Sequence, residues 1–322
     1  NMKLFVLIVC SLSHAVKCLA DVNDLPIIGI FTQPSDSGHE DCGGDCLMLA
    51  ASYVKQVEST GARVVPINFY STNEDVDQLF NSLNGFIFPG GGAGLPPAAQ
   101  YVYDMTIAAN DQGDFMPLWG TCLGFEWLLM CTTRDADILD PILGKFDSFN
   151  LSLPLDFTPH AATSKLFGGA SDSLIDILAT QNVTFNSHIE GIYPEHLTRN
   201  EQLHSFYRIL STNKDRKGRP FVSTMEARDY PIYGVQWHPE KNRFENDMID
   251  GQPFEDIPHS PDAVLVSQYM ASFLTSLTRK NMHKFPPKEE KARLIYNYRT
   301  SRTDPLFVET YFFPNNFSVS NL

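Results

Sequence analysis

Three short segments of this 322-residue chain hold residue types that carry out acyl transfer. The first is Gly120-Thr121-Cys122-Leu123-Gly124, which follows the apolar run Met116-Pro117-Leu118-Trp119 and precedes a helical-looking Leu123–Thr133. A cysteine between two glycines at a strand-to-helix turn has the pattern of a nucleophile elbow. The turn is tight and neighbouring elements press on its backbone, so side chains are excluded on both sides of the nucleophile. Such a turn aims the sulfur at a helix N-terminus, where backbone N–H groups and the helix dipole favour a thiolate. A plain buried cysteine in a strand–helix turn carries the same letters, so this segment needs company. The second segment is Tyr233-Gly234-Val235-Gln236-Trp237-His238-Pro239-Glu240. Two residues apart at a strand end, His238 and Glu240 leave on one face. A carboxylate beside an imidazole fixes its tautomer and stabilises the imidazolium, so the histidine can deprotonate a thiol and then protonate a leaving amine. Alone, the pair reads equally as a surface ion pair. Pro239 breaks the strand, which suits a sheet edge or rim. The third segment, Phe88-Pro89-Gly90-Gly91-Gly92-Ala93-Gly94, lacks the Lys-Ser/Thr of a phosphate loop and does not fit G-x-G-x-x-G. Its glycines can present N–H groups to a developing oxyanion, or simply form a flexible turn.

Chemistry of this kind needs a frame. Pro26–Thr32, Arg63–Pro66, Gly85–Phe88 and Met116–Trp119 read as short apolar strands. Between them the pattern predicts helices over Cys46–Ser59, with Asp45 as N-cap and Leu49, Tyr53 and Val57 on one face, from Thr72 or Asn73 to about Leu83, and over Ala98–Asn110. This βαβα rhythm predicts an α/β fold: a mostly parallel central sheet with helices on both faces. Ligands bind such sheets beyond the carboxyl ends of the strands, where the glycine loop and the elbow both fall. The stretch Ile138–Arg219 is less regular, with short strands at Leu151–Pro154 and Val183–Phe185. Pro220–Glu226 and Tyr230–Gln236 read as adjacent strands. Ser260–Thr278 reads as a capped helix with a stripe of Val264, Tyr269, Phe273 and Leu277. The Lys/Arg-rich Arg279–Arg302 reads as a solvated face or loosely packed extension.

Composition narrows the class. The chain is 43% hydrophobic and 19% charged, an ordinary globular balance. Lys3, the apolar run Leu4–Leu12 and Cys18-Leu19-Ala20 have the layout of a secretory signal at residues 2–20, with the mature chain starting at Asp21. The 13 residues between Lys3 and Lys17 are too few to span a bilayer, and no other apolar run reaches that length. The net charge is −14 and becomes −16 once Lys3 and Lys17 leave with the signal, which argues against nucleic acid or anionic membrane as partners. An anionic substrate would then need a local positive or N–H-rich pocket. Of six cysteines, Cys42, Cys46, Cys122 and Cys131 remain after the signal. Cys42 and Cys46 share one loop and are placed to bridge in an oxidising compartment; no second Cys/His pair at zinc spacing accompanies them. Cys131, in helical surroundings, reads as a buried apolar residue. Asn150, Asn182 and Asn316 each open an N-glycosylation triplet.

In the order PGGG loop, GTCLG elbow and WHPE, the chain resembles the class I glutamine amidotransferase superfamily, with its flavodoxin-like core. The resemblance implies Cys122 as nucleophile, His238 as general base and acid, and Glu240 as orienting carboxylate. It also implies an oxyanion hole built from the N–H of Leu123 and one from Gly91 or Gly92. Glutaminase members usually carry G-x-C-x-G-x-Q, and here that position is Glu126. With the signal and the segments Ala50-Ala51-Ser52-Tyr53-Val54-Lys55 and Phe88-Pro89-Gly90-Gly91, the chain is most similar to the γ-glutamyl hydrolases, peptidase family C26. The similarity runs from Pro26 into the C-terminal tail.

That resemblance implies one catalytic domain over residues 21–322, with 279–322 as a C-terminal extension. It implies thioester-mediated hydrolysis of folylpoly-γ-glutamates and antifolate polyglutamates, no metal or organic cofactor, a homodimer, and a secreted or lysosomal location. Glu126 and His188 are placed on the substrate side by the same resemblance. Two rival readings stand beside it. One is a glutaminase acting on free glutamine. The other is a non-catalytic secreted binding protein on the same fold, since fold alone does not give activity.

Overall fold

The computed structural model describes residues 22–35, 45–139, 145–302 and 306–317. The signal segment 2–20 and Cys42 lie outside the described residues. The central sheet has eight strands. In spatial order they are Arg63–Ile67, Ile27–Phe31, Phe86–Phe88, Leu118–Thr121, Ile232–Val235, Pro220–Ala227, Tyr207–Lys214 and Asp156–Phe157. The first five run parallel and each of the last three pairs antiparallel with its neighbour, so the sheet is mixed, and the parallel half holds the elbow and the glycine loop. Ile27–Phe31, Phe86–Phe88, Leu118–Thr121 and Ile232–Val235 are buried along their whole length. That is why they read as continuous apolar runs rather than alternating ones. Helices cover both faces. Trp127 and Phe88 belong to one apolar cluster, and Trp119 and Tyr233 to the other.

Local signals place most of the helices. Thr72 and Asp75 form a reciprocal capping box for Asn73–Phe80, and the Ser260 side chain accepts from the Ala263 N–H to cap Pro261–Thr278. The stripe of the latter helix is shifted from the expected one. Val264 is exposed, while Val266, Met270, Leu274 and Leu277 are buried, at the i, i+4 spacing that Val264 and Tyr269 lack.

One expected helix is wrong in its first turn. Cys46–Ala50 is a strand, paired antiparallel with Thr310–Pro314 on one side and Gln33–Pro34 on the other, and the helix runs only over Ala51–Glu58. Asp45 therefore caps nothing; Ala50 stands at the N-cap position. The reason is tertiary. Residues far away in sequence supply backbone partners to Leu47, Met48 and Leu49, and these outweigh the local helical spacing. By the same contact the C-terminal extension is not a loose tail. Its strand Thr310–Pro314 packs with Phe313 wholly buried.

Candidate functional site

The elbow forms because its sequence leaves no alternative. Leu118–Thr121 ends at Cys122, and helix Leu123–Thr133 starts at the next residue. A Cβ on Gly120 would strike the carbonyl of Gly124, and one on Gly124 would strike the carbonyl of Phe88. Both glycines of the motif are thus required by close backbone approach. Cys122 takes φ 53° and ψ −111°, a region that non-glycine residues rarely occupy. Its N–H is tied to the Val235 carbonyl at 2.8 Å, which joins the elbow to the strand leading to His238. Its Sγ lies 3.9 Å from the Ser187 carbonyl. No acceptor meets the N–H of Leu123 among the described residues, as expected in the first turn of a helix.

His238 and Glu240 come together, but not by strand alternation. The strand stops at Val235, and both residues sit in the turn before the short helix Lys241–Phe244. Pro239 lacks an N–H and cannot continue the ladder, so the turn performs the juxtaposition. Nδ1 of His238 is 2.6 Å from Oε1 of Glu240, and both side chains are buried. Burial alone would lower the imidazole pKa. The Glu240 carboxylate and Cys122 beside it overcome that and hold it at about 10. The cation is favoured at the position where a base next to a thiol would carry it.

The glycine loop closes over this pair. Gly90, which sequence reasoning passed over in favour of Gly91 and Gly92, makes the closest approach. A Cβ there would lie 2.8 Å from Cε1 of His238, 2.8 Å from Oη of Tyr53 and 3.4 Å from Cβ of Cys122. The Gly90 N–H donates to Tyr53 Oη at 2.7 Å and is not free for a ligand. Gly91 lies against the side chain of Gln33, and Gly92 faces open space. Burial, then the neighbouring Glu240 and Cys122, push the Tyr53 phenol well above its ordinary pKa.

These groups open into a cleft of about 270 Å³ that contains Cys122, His238 and Gly90–Gly92. Leu306 and Phe307 of the C-terminal extension form part of its wall. Nothing in their sequence neighbourhood marks them. Only the pairing of Thr310–Pro314 with Cys46–Ala50 carries them there.

Glu126 and His188 are near the site but do not line this cleft. Glu126 is buried in the first turn of the elbow helix, where its Oε1 accepts from Nε2 of Gln236 at 3.0 Å. Burial pushes its carboxyl up to about 8. The His188 Nδ1 is 2.6 Å from the Glu190 carbonyl, its Nε2 has no partner, and burial lowers its pKa to about 4. Cys46 is disulfide-bonded, whereas Cys122 and Cys131 are free. Asn182 and Asn316 are exposed. Asn150 is half-buried with its Oδ1 accepting from the Asp256 N–H.

The family model Peptidase C26 matches residues 26–133, which span the glycine loop and the elbow. Gamma-glutamyl hydrolase B of Dictyostelium discoideum is 38% identical over 303 residues, covering 92% of this chain and 84% of that protein. The gamma-glutamyl hydrolase of Mus musculus is 39% identical over 299 residues, covering 90% of each. A crystal structure of a glutamine amidotransferase from Thermotoga maritima aligns over 80% of this chain and 99% of that one, at 11% identity and a TM-score of 0.41. Identity at this level over about nine-tenths of the chain places it in the γ-glutamyl hydrolase family.

Proposed function

We propose that the chain hydrolyses the γ-glutamyl amide bonds of folylpoly-γ-glutamates and antifolate polyglutamates, with Cys122, His238 and Glu240 as its catalytic triad. The observation that carries the reading is Cys122 and His238 at one cleft, with Glu240 bonded to His238, in a chain of this family. His238 takes the thiol proton of Cys122 as Sγ attacks the γ-carbonyl carbon. The oxyanion is held by the N–H of Leu123 and that of Gly91 or Gly92; Gly90 is spent on Tyr53. His238 returns the proton to the departing amine, leaving a thioester, and then activates the water that releases the shortened product. Glu240 keeps Nε2 of His238 directed at the sulfur by holding Nδ1. The apolar segment Leu4–Leu12 supports a secretory route ending in the lysosome or outside the cell. No helix among the described residues is long and apolar enough to cross a membrane.

The test is product analysis by mass spectrometry on pteroyl-penta-γ-glutamate at acid pH under reducing conditions, with wild type and Cys122→Ala. Shortened folates from wild type alone are the expected result, and their lengths give endo or exo cleavage. No shortening by folded wild type discards the folate assignment. Ammonia released from free glutamine instead would establish the glutaminase reading.

A further inference from the structure

We propose that Lys241 is the cation that recognises the α-carboxylate of the γ-glutamyl residue whose side-chain carbonyl meets Cys122; this rests on the hydrolase function proposed above. A γ-linked glutamate keeps its α-carboxylate free, a few bonds from the scissile carbonyl. A protein of net charge −14 repels such a substrate unless its site supplies a positive group. Among the described residues that line the nucleophile's cleft, Lys241 is the one lysine or arginine.

Its setting is unusual for a lysine. The side chain is 2% exposed and pairs with Glu255, itself 3% exposed, since lysine is almost never buried that deeply unless it is paired. The ammonium lies 2.5 Å from Oε2 of Glu255 and 5.2 Å from the ring centroids of both Phe185 and Phe307. Phe307 itself lines the cleft. Glu255 takes one of three N–H donors, and no other hydrogen-bond acceptor meets Nζ among the described residues. Two aromatic faces stabilise the charge but accept none of its N–H groups in line. The result is a buried ion pair whose ammonium keeps unspent donors in the wall of the cleft. There a carboxylate interacts with it far more strongly than it would in water.

The chain connectivity puts the cation at a fixed distance from the chemistry. Lys241 directly follows Glu240, and its N–H bonds back to the His238 carbonyl at 3.4 Å. On the other side Glu255 approaches Ser187 Oγ at 3.5 Å, and the Ser187 carbonyl is the group beside the Cys122 sulfur. The carboxylate-binding point and the nucleophile are therefore held by one short run of contacts, which suits a substrate whose α-carboxylate and scissile carbonyl carbons are four carbon–carbon bonds apart.

The experiment compares two substrates that differ at one group: a γ-glutamyl amide with a free α-carboxylate and the same compound with an α-carboxamide. Wild type should lose roughly 30-fold or more in kcat/KM on the amide, mostly through KM. Lys241→Met should lose a similar factor on the acid while changing turnover of the amide by about threefold or less, so that the variant no longer tells the two apart. If Lys241→Met lowers both substrates equally, the residue only supports the fold and the proposal is overturned. Lys241→Gln with Glu255→Gln removes both buried charges together, so a folding failure of the single variant does not leave the matter open. Wild type that turns over both substrates at equal kcat/KM overturns the proposal and leaves the hydrolase function standing. Wild type that turns over neither removes that function and this inference with it.

Discussion

Cys122 and Cys131 are the two free cysteines among the described residues, both are buried, and one helix connects them. Cys131 sits in the last turns of that helix, where burial pushes its thiol well above the ordinary range and Asp104 adds to the effect. Cys122 precedes the helix at φ 53°, faces unpaired backbone N–H, and has a buried imidazole beside it whose cation is favoured by Glu240. The residue type is constant and the surroundings are opposite. On the proposed function, the reactivity of Cys122 is a property of the strand end and of what the neighbouring strand delivers to it, not of burial or of the thiol.

The largest test of that contrast exchanges each sulfur. Cys122→Ala should lower kcat/KM by about 10³-fold or more, as loss of a nucleophile does. Cys131→Ala should leave kcat/KM within about twofold and cost on the order of 1 kcal/mol of stability in urea unfolding, because it only opens a small cavity. Comparable activity losses from the two would break the contrast.

A sharper test leaves both sulfurs in place and alters the environment of one. Gly90→Ala would set a methyl group 2.8 Å from His238 Cε1, so the imidazole must move. A displacement of that kind should lower kcat on the order of 10²-fold with little change in unfolding midpoint. Gly94→Ala, which meets nothing within 4 Å and has no assigned role in the site, is the matched control and should stay close to wild type. If the two variants behave alike, the loop is more compliant than its contacts imply.

What the sequence disclosed follows the range of the forces involved. Elements set by local chemistry were legible: a cap at Thr72, the Ser260 cap, and the elbow whose two glycines are demanded by close backbone approach. The strand Cys46–Ala50 was not, because its helical spacing is overruled by partners at residues 33–34 and 310–314. For the same reason Leu306 and Phe307 could not be placed at the cleft. Within the glycine loop, residue type alone cannot say which glycine touches the histidine. Only the path of the chain over Tyr53 makes it Gly90. The His238–Glu240 pair was read correctly as a pair and incorrectly as a strand feature, since a proline-bearing turn achieves what alternation would have done.

Glu126 extends the comparison to a carboxylate on the same helix. It is buried like Cys131, and burial outweighs the Gln236 amide and the His238 charge that favour its ionised form, so its carboxyl is raised from 4.5 to about 8. The folded chain therefore holds this proton where the unfolded chain has lost it. Its contribution is fully present below about pH 4.5 and is lost as pH rises towards 8. Glu126→Gln should gain stability relative to wild type across that window, on the order of a few kcal/mol by its upper end, and then level off. Thermal unfolding of both proteins at steps between pH 4.5 and 8 reads it, and the difference between them cancels the opposite trend that His188 imposes between 6.5 and about 4. A difference that does not grow with pH would show that Gln236 satisfies the ionised form as well as the neutral one.

The smallest expected effect isolates how the loop is held against Cys122. The Tyr53 hydroxyl accepts the Gly90 N–H at 2.7 Å, and its pKa is raised by burial and by Glu240. Tyr53→Phe keeps the ring in its apolar setting and removes that acceptor together with the hydroxyl's contact to the Glu240 carboxylate. One buried N–H is then unpaired, a loss of about 1 kcal/mol or a little more. If the hydroxyl fixes Gly90 over His238, kcat should fall about five- to tenfold while KM and the unfolding midpoint stay nearly unchanged. If the midpoint falls and kcat does not, Tyr53 is a core residue that happens to border the site. In that case the loop is held instead by Gly91 packing against Gln33, and the environment that separates Cys122 from Cys131 reduces to the elbow and the His238–Glu240 turn.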